Sequence, residues 1–128
     1  MTRYPSAKRR AHEGALLEDQ LHPGWANEID LEVFDIRNGS HCIIGQTEHT
    51  EYSDAIDGVA EMFTTLPEDG LWYQTALNTW AMENGFLPLN NILGDPDFTR
   101  YSQDWQTLNR AWRKEILARR SAGVTAPA

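Results

Sequence analysis

Ser102-Gln103-Asp104-Trp105-Gln106-Thr107-Leu108-Asn109-Arg110-Ala111-Trp112-Arg113-Lys114-Glu115-Ile116-Leu117-Ala118-Arg119 is the stretch that decides the fold class. Trp105, Leu108, Trp112 and Ile116 recur at the three- and four-residue spacing of one helix face, with charged and polar residues between them. The spacing predicts a helix over Ser102–Arg119, and Phe98 and Tyr101 extend its apolar stripe backwards. Arg119 and Arg120 fall at its C-terminal end, where cations suit the helix dipole.

The same periodicity recurs upstream. A helix is expected over Ala7–Leu21, capped by Ser6, with Ala11, Ala15, Leu17 and Leu21 near one face. His22-Pro23-Gly24 ends it, because proline disfavours helical geometry in the residue before it. A second helix is expected over Asp54–Phe63, capped by Ser53, with Ile56, Val59, Ala60 and Phe63 on one face. A third, Leu71–Glu83, carries Trp72, Tyr73, Ala76, Leu77, Trp80 and Ala81 and stops at Asn84-Gly85. Residues 86–97 read as a loop. Between the first two helices the pattern is ambiguous. Ile29, Leu31 and Val33 alternate like a strand, Phe34 breaks the alternation, and Asp30 and Asp35 are suited to capping short helical turns. Four amphipathic helices joined by irregular loops predict a mainly α, compact single domain over residues 1–128, with ragged ends at 1–5 and 121–128 and room for a small β element near residues 29–44.

A chain of 128 residues fits one domain with its own core, and five Trp, four Tyr and four Phe supply the bulk of that core. A single cysteine rules out an intramolecular disulfide. Together with the lack of an apolar segment after Lys8-Arg9-Arg10, it points to the cytoplasm. No apolar run is long enough to span a bilayer, so no membrane partner is expected. The net charge of −8 is unevenly spread: residues 1–10 and 110–120 each carry +4, while residues 11–109 carry −16. Such an acidic body repels phosphate at long range.

Several chemistries can be weighed on residue types. Cys42 beside His41, with His22 and His49 elsewhere, would suit a nucleophile and base, but Cys42-Ile43-Ile44 reads more simply as a buried apolar run. The same residues lack the paired ligand spacing of a zinc site, so no metal and no cofactor is expected. Carboxylates such as Asp30, Glu32, Asp35, Asp54 and Asp57 are too many for any pair to stand out, and no catalytic residue is assigned. Arg110, Arg113, Lys114, Arg119 and Arg120 would form a nucleic-acid surface on the last helix, an alternative set against the acidic body and the absence of a recognised motif. Trp25, just after a turn, is either a core plug or a partner anchor. Gly45-Gln46 is the step with no evident packing role, so Trp25, Gly45 and Gln46 are the candidate partner-binding residues.

Gly14-Ala15-Leu16-Leu17-Glu18, Pro23-Gly24-Trp25, Ile29-Asp30-Leu31, Phe34-Asp35 and Cys42-Ile43-Ile44-Gly45-Gln46 together resemble a family of small uncharacterised proteins of actinobacteria and the phages that infect them. Members carry Gly-Ala-x-Leu-Leu-Asp, Pro-Gly-Trp, Ile-Asp-Leu, Leu-Asp and Cys-x-x-Cys-Val-Leu-Gly-Gln steps. Gly85-Phe86 and the closing Trp105, Leu108, Trp112, Ile116 and Arg119-Arg120 extend the likeness, whereas residues 47–84 and 87–100 fit it poorly. The first cysteine of the family's pair falls at Gly39, so dithiol chemistry is not available to this chain. The resemblance implies a phage- or prophage-encoded accessory protein in the host cytoplasm. With no catalytic constellation, its expected mode of action is binding to a protein partner. A Cys42/His-dependent enzyme or regulator and the nucleic-acid surface are the alternatives.

Overall fold

The computed structural model describes residues 4–68, 70–89 and 103–125. Among them the chain is mainly helical: α1 (Ala7–Leu21), α2 (Trp25–Glu28), α3 (Ile43–Glu48), α4 (Tyr52–Glu61), α5 (Gly70–Glu83) and α6 (Asp104–Thr125). The first helix has the expected bounds, and the Ser6 hydroxyl accepts from the Arg9 N–H at 3.2 Å. The last runs beyond Arg119 to Thr125. Phe98, Tyr101, Ser102 and the part of the expected 86–97 loop beyond Leu89 lie outside the described residues.

The small β element expected near residues 29–44 does not form among the described residues. Short polar side chains win that stretch for turns. Asp30 Oδ1 accepts from the Glu32 N–H at 3.0 Å, Asp35 Oδ1 from Arg37 at 3.0 Å, and Asn38 Oδ1 from Ser40 at 2.9 Å. Each bond reaches two residues ahead and bends the backbone where a strand would run straight. Ile29, Phe34 and Ile36 point into the core from these turns, while Val33 stays exposed. Four helices become six, because α2 and α3 are one to two turns long, too short for periodicity to reveal.

The start of α4 also differs from expectation. It begins at Tyr52, so Ser53 lies inside the helix rather than at its cap. Glu51 occupies the cap position without a side-chain bond to the helix backbone, and the Tyr52 N–H is satisfied by the Gly39 carbonyl at 2.9 Å. At the far end of α5, Phe86 N–H bonds Ala81 O at 2.8 Å, and Gly85 adopts φ 72°, closing the helix in the left-handed manner.

The principal packing is α1 along α6. Gly14 makes it close: a Cβ there would lie 2.8 Å from the Trp112 ring and would strike the Asn84 carbonyl. Trp112 is fully buried and donates its indole N–H to Gly85 O at 2.6 Å. Ring contacts continue from it in both directions. Trp25 meets Trp112 edge-on at 5.8 Å between centroids, and Phe86 stacks on Trp112 at 5.9 Å. Trp80 lies 5.7 Å from Phe86, and Phe63 stacks on Trp80 at 6.4 Å. These five rings link α2, α6 and the α5 end to the end of α4. A buried ion pair pins the start of α6 to α1: Arg10 binds Asp104 through both terminal guanidinium nitrogens, at 2.5 and 3.1 Å. Asp104 accepts a further bond from the Leu89 N–H at 2.8 Å, so the carboxylate is well satisfied. No helix among the described residues is long and apolar enough to cross a membrane.

Candidate functional site

Trp25 is a core residue, 1 % exposed, with its indole N–H on Asp19 Oδ1 at 2.8 Å. Its face is therefore not offered to a partner. Gly45 and Gln46 have structural duties as well. Gly45 is where α3 passes the Gly39–Ser40 backbone, and a Cβ would sit 2.7 Å from the Ser40 carbonyl group. Gln46 Oε1 accepts from the Asp30 N–H at 2.7 Å, and Nε2 donates to Asp30 O at 3.3 Å and His41 O at 2.8 Å. Both amide hydrogens are thus spent on backbone. Gly45 and Gln46 do line an open polar cleft of about 480 Å³ with Glu28, Ser40, His49, Thr50 and Glu51.

Cys42 is buried and acts as the cap of α3, its Sγ accepting from the Gly45 N–H at 3.4 Å and lying 3.6 Å from Gly39 O. Burial pushes its thiol pKa up, the opposite of what a nucleophile requires. Its hydrogen-bond partners are backbone, with no histidine among them, so the geometry gives no support to Cys/His chemistry. Among the described residues no three His, Cys, Asp or Glu side chains are grouped as metal ligands.

Sequence reasoning missed a titratable cluster between α1 and α3. Glu18 is 1 % exposed, and burial raises its pKa from 4.5 to about 7 despite the nearby His22. One of its oxygens accepts from the Thr47 hydroxyl at 3.3 Å, and the other, Oε2, has no partner among the described residues. One turn on, His22 pairs with Glu48. These two rungs tie the same helices together. The signal in the sequence was only a glutamate on the apolar side of α1, beside Leu17 and Leu21.

The basic residues of α6 separate into two groups. Arg119 clasps Asp19 with two bonds of 2.9 Å and Glu115 at 2.7 Å, which holds the Asp19 carboxyl below its usual range. Arg120 donates to the carbonyls of Ala26 and Ile29, and Arg113 donates to Phe34 O at 3.3 Å. These three bind the chain to itself. Arg110 and Lys114 are exposed and make no such bonds among the described residues.

The least satisfied apolar surface lies at the α4–α5 corner. Trp72 is 64 % exposed and Met62 66 %. Between the end of α4 and Tyr73 is a cleft of about 490 Å³ lined by Glu61, Thr64, Leu66, Pro67, Glu68 and Tyr73. Partial burial, with Asp57 and Glu61 close by, raises the Tyr73 phenol. No Lys or Arg occurs between Arg37 and Arg100, so this corner is acidic with no intervening cation in the sequence.

Comparison of the chain with known protein families, curated proteins and solved structures finds no match. Of these two clefts, the one beside Gln46 is lined by polar residues, several of them bonded within the fold, whereas the exposed Met62 and Trp72 are chain neighbours of Glu61 and Tyr73, which line the other.

Proposed function

We propose that this chain is a small accessory protein that acts by binding, and that its partner is a protein presenting a cationic, apolar segment to the α4–α5 corner. The observation that carries this is Trp72: it is the one exposed tryptophan among the described residues, on a helix whose apolar side chains are not confined to its core-facing side. Tryptophan is among the side chains that most often anchor interfaces. The carboxylates of Asp57, Glu61 and Glu68 around the Tyr73 cleft supply the charge preference. A phage or prophage origin and a site of action in the host cytoplasm are part of the proposal and rest on the resemblance of residues 14–46 and 105–120 alone.

The test uses a short amphipathic Leu/Lys peptide as probe and its Leu/Glu counterpart as control, read by tryptophan emission and calorimetry. The Leu/Lys peptide is expected to bind and shift the emission to the blue. Trp72→Ala and Glu61→Gln/Glu68→Gln should each weaken it by about tenfold or more, while Glu13→Gln on α1 leaves it unchanged. Equal binding of the Leu/Glu peptide, or equal loss in Glu13→Gln, would overturn the reading.

A further inference from the structure

Nine lysine and arginine side chains lie among the described residues. Most are engaged: Arg10 on Asp104, Arg37 on Asp35, Arg119 on Asp19, Arg113 and Arg120 on backbone carbonyls, and Arg9 facing Glu13 at 3.9 Å. The three that make no hydrogen bond or ion pair to another described residue are Lys8, Arg110 and Lys114, and these three line one groove between α1 and α6.

The groove measures about 380 Å³ and is completed by Thr107, Ala111 and Glu115. Its one acid, Glu115, is already engaged: it accepts from Arg119 at 2.7 Å, a cation it shares with Asp19, and faces His12 at 3.2 Å, so three cations stand against one partly compensated carboxylate. Arg110 and Lys114 stand four residues apart on α6, where like charges repel, and Lys8 adds a third from the first turn of α1. In a chain with 19 acids and a net charge of −8, a groove edged by three cations that have no partner among the described residues runs against the general balance. Such a concentration lowers stability slightly and creates a local site for anions.

We propose that this groove binds a compact polyphosphate anion, with Lys8, Arg110 and Lys114 contacting phosphoryl oxygens and the Thr107 hydroxyl donating to one of them. The fork of Arg110 suits bidentate contact with a phosphoryl group, and the two lysines act as point charges. A compact ligand is favoured over a long nucleic acid because the rest of the chain carries the opposing charge: residues 11–109 sum to −16, which repels any backbone that extends past the groove. This site is independent of the α4–α5 corner and has the opposite charge preference.

Inorganic triphosphate is the probe, titrated calorimetrically into the full chain at low and at physiological salt. Binding is expected, weakening with salt, and accompanied by a rise in the thermal midpoint. Lys8→Gln, Arg110→Gln and Lys114→Gln should each reduce affinity by roughly tenfold. Their unliganded midpoints should match or exceed that of the parent, because like-charge repulsion is relieved. Arg9→Gln, also on α1 but not part of the groove lining, should leave affinity unchanged. No binding of millimolar triphosphate at low salt overturns the proposal, as does an equal loss in Arg9→Gln, which would mark general charge attraction. Tighter, groove-dependent binding of a single-stranded oligothymidylate than of triphosphate would overturn the compact ligand in favour of a nucleic-acid backbone.

Discussion

Gln46 and Asp30 are joined through both ends of one side-chain amide: the Asp30 N–H donates to Gln46 Oε1 at 2.7 Å, and Gln46 Nε2 donates to the Asp30 carbonyl at 3.3 Å. The amide plays the part that a neighbouring strand would play for an extended segment, and its second hydrogen holds His41 O at 2.8 Å. One side chain thus fixes the 29–42 turns against α3. Gln46→Ala should lower stability by about 1–3 kcal/mol, since several backbone groups lose partners at once. Gln46→Glu keeps an acceptor for Asp30 N–H and loses both donations, so it too should destabilise. Urea unfolding of the two variants is the measurement, and an unchanged midpoint for both would show that water replaces the amide without cost.

Gly14 is where α1 and α6 approach, with the Trp112 ring against its Cα and the Asn84 carbonyl above it. Alanine is favoured over glycine within a helix by about 1 kcal/mol. Here that gain should be overwhelmed, because the new methyl would sit 2.8 Å from the Trp112 ring. Gly14→Ala is expected to destabilise by about 2–3 kcal/mol net through overpacking. Differential scanning calorimetry reads the effect, and a midpoint at or above the parent's would show that α1 and α6 can separate freely.

Glu18 makes stability depend on pH in the direction opposite to an ordinary salt-bridged carboxylate. Its folded pKa, about 7, lies above its ordinary value of 4.5, so the folded chain holds the proton more tightly than the unfolded chain. The folded state therefore loses stability as pH rises from about 4.5 through 7, and the whole penalty is present above that window. At 1.36 kcal/mol per unit the penalty is at most about 3 kcal/mol. Glu18→Gln, which cannot ionise, should be more stable than the parent at pH 8 and nearly equal to it at pH 4. Denaturant melts of both proteins across this range supply the check, and parallel stability curves would remove Glu18 as the source.

The Cys42 thiol is expected to be inert in the folded chain. It is buried, its pKa is raised by that burial, and its contacts are the backbone of Gly39 and Gly45. Ellman's reagent should modify it at the rate of global unfolding. Cys42→Ser should keep the fold, because a serine hydroxyl caps helices well. Rapid modification under native conditions would reopen a chemical role for the cysteine.

Residue spacing alone was enough to locate the helices that are long enough to show a period. The Trp105–Leu108–Trp112–Ile116 stripe and the Ser6-capped α1 were legible because spacing along a helix is a local property. The sequence also determined the charge imbalance and the lone cysteine. The remaining assignments depend on packing between distant segments. Trp25 has the same composition-level signature as a surface anchor, and only its edge contact with Trp112, contributed from the far end of the chain, shows it to be core. The stretch around Asp30 and Asp35 was open to strand or turn until their side chains closed on N–H groups two residues ahead. The five basic residues of α6 read alike in sequence. Long-range partners divided them, because Asp19, Ala26 and Phe34 claim Arg119, Arg120 and Arg113, while Arg110 and Lys114 stay free among the described residues and gain Lys8 as a neighbour in one groove. Local spacing shows which face a side chain occupies; which distant groups meet it there is settled only when the helices pack.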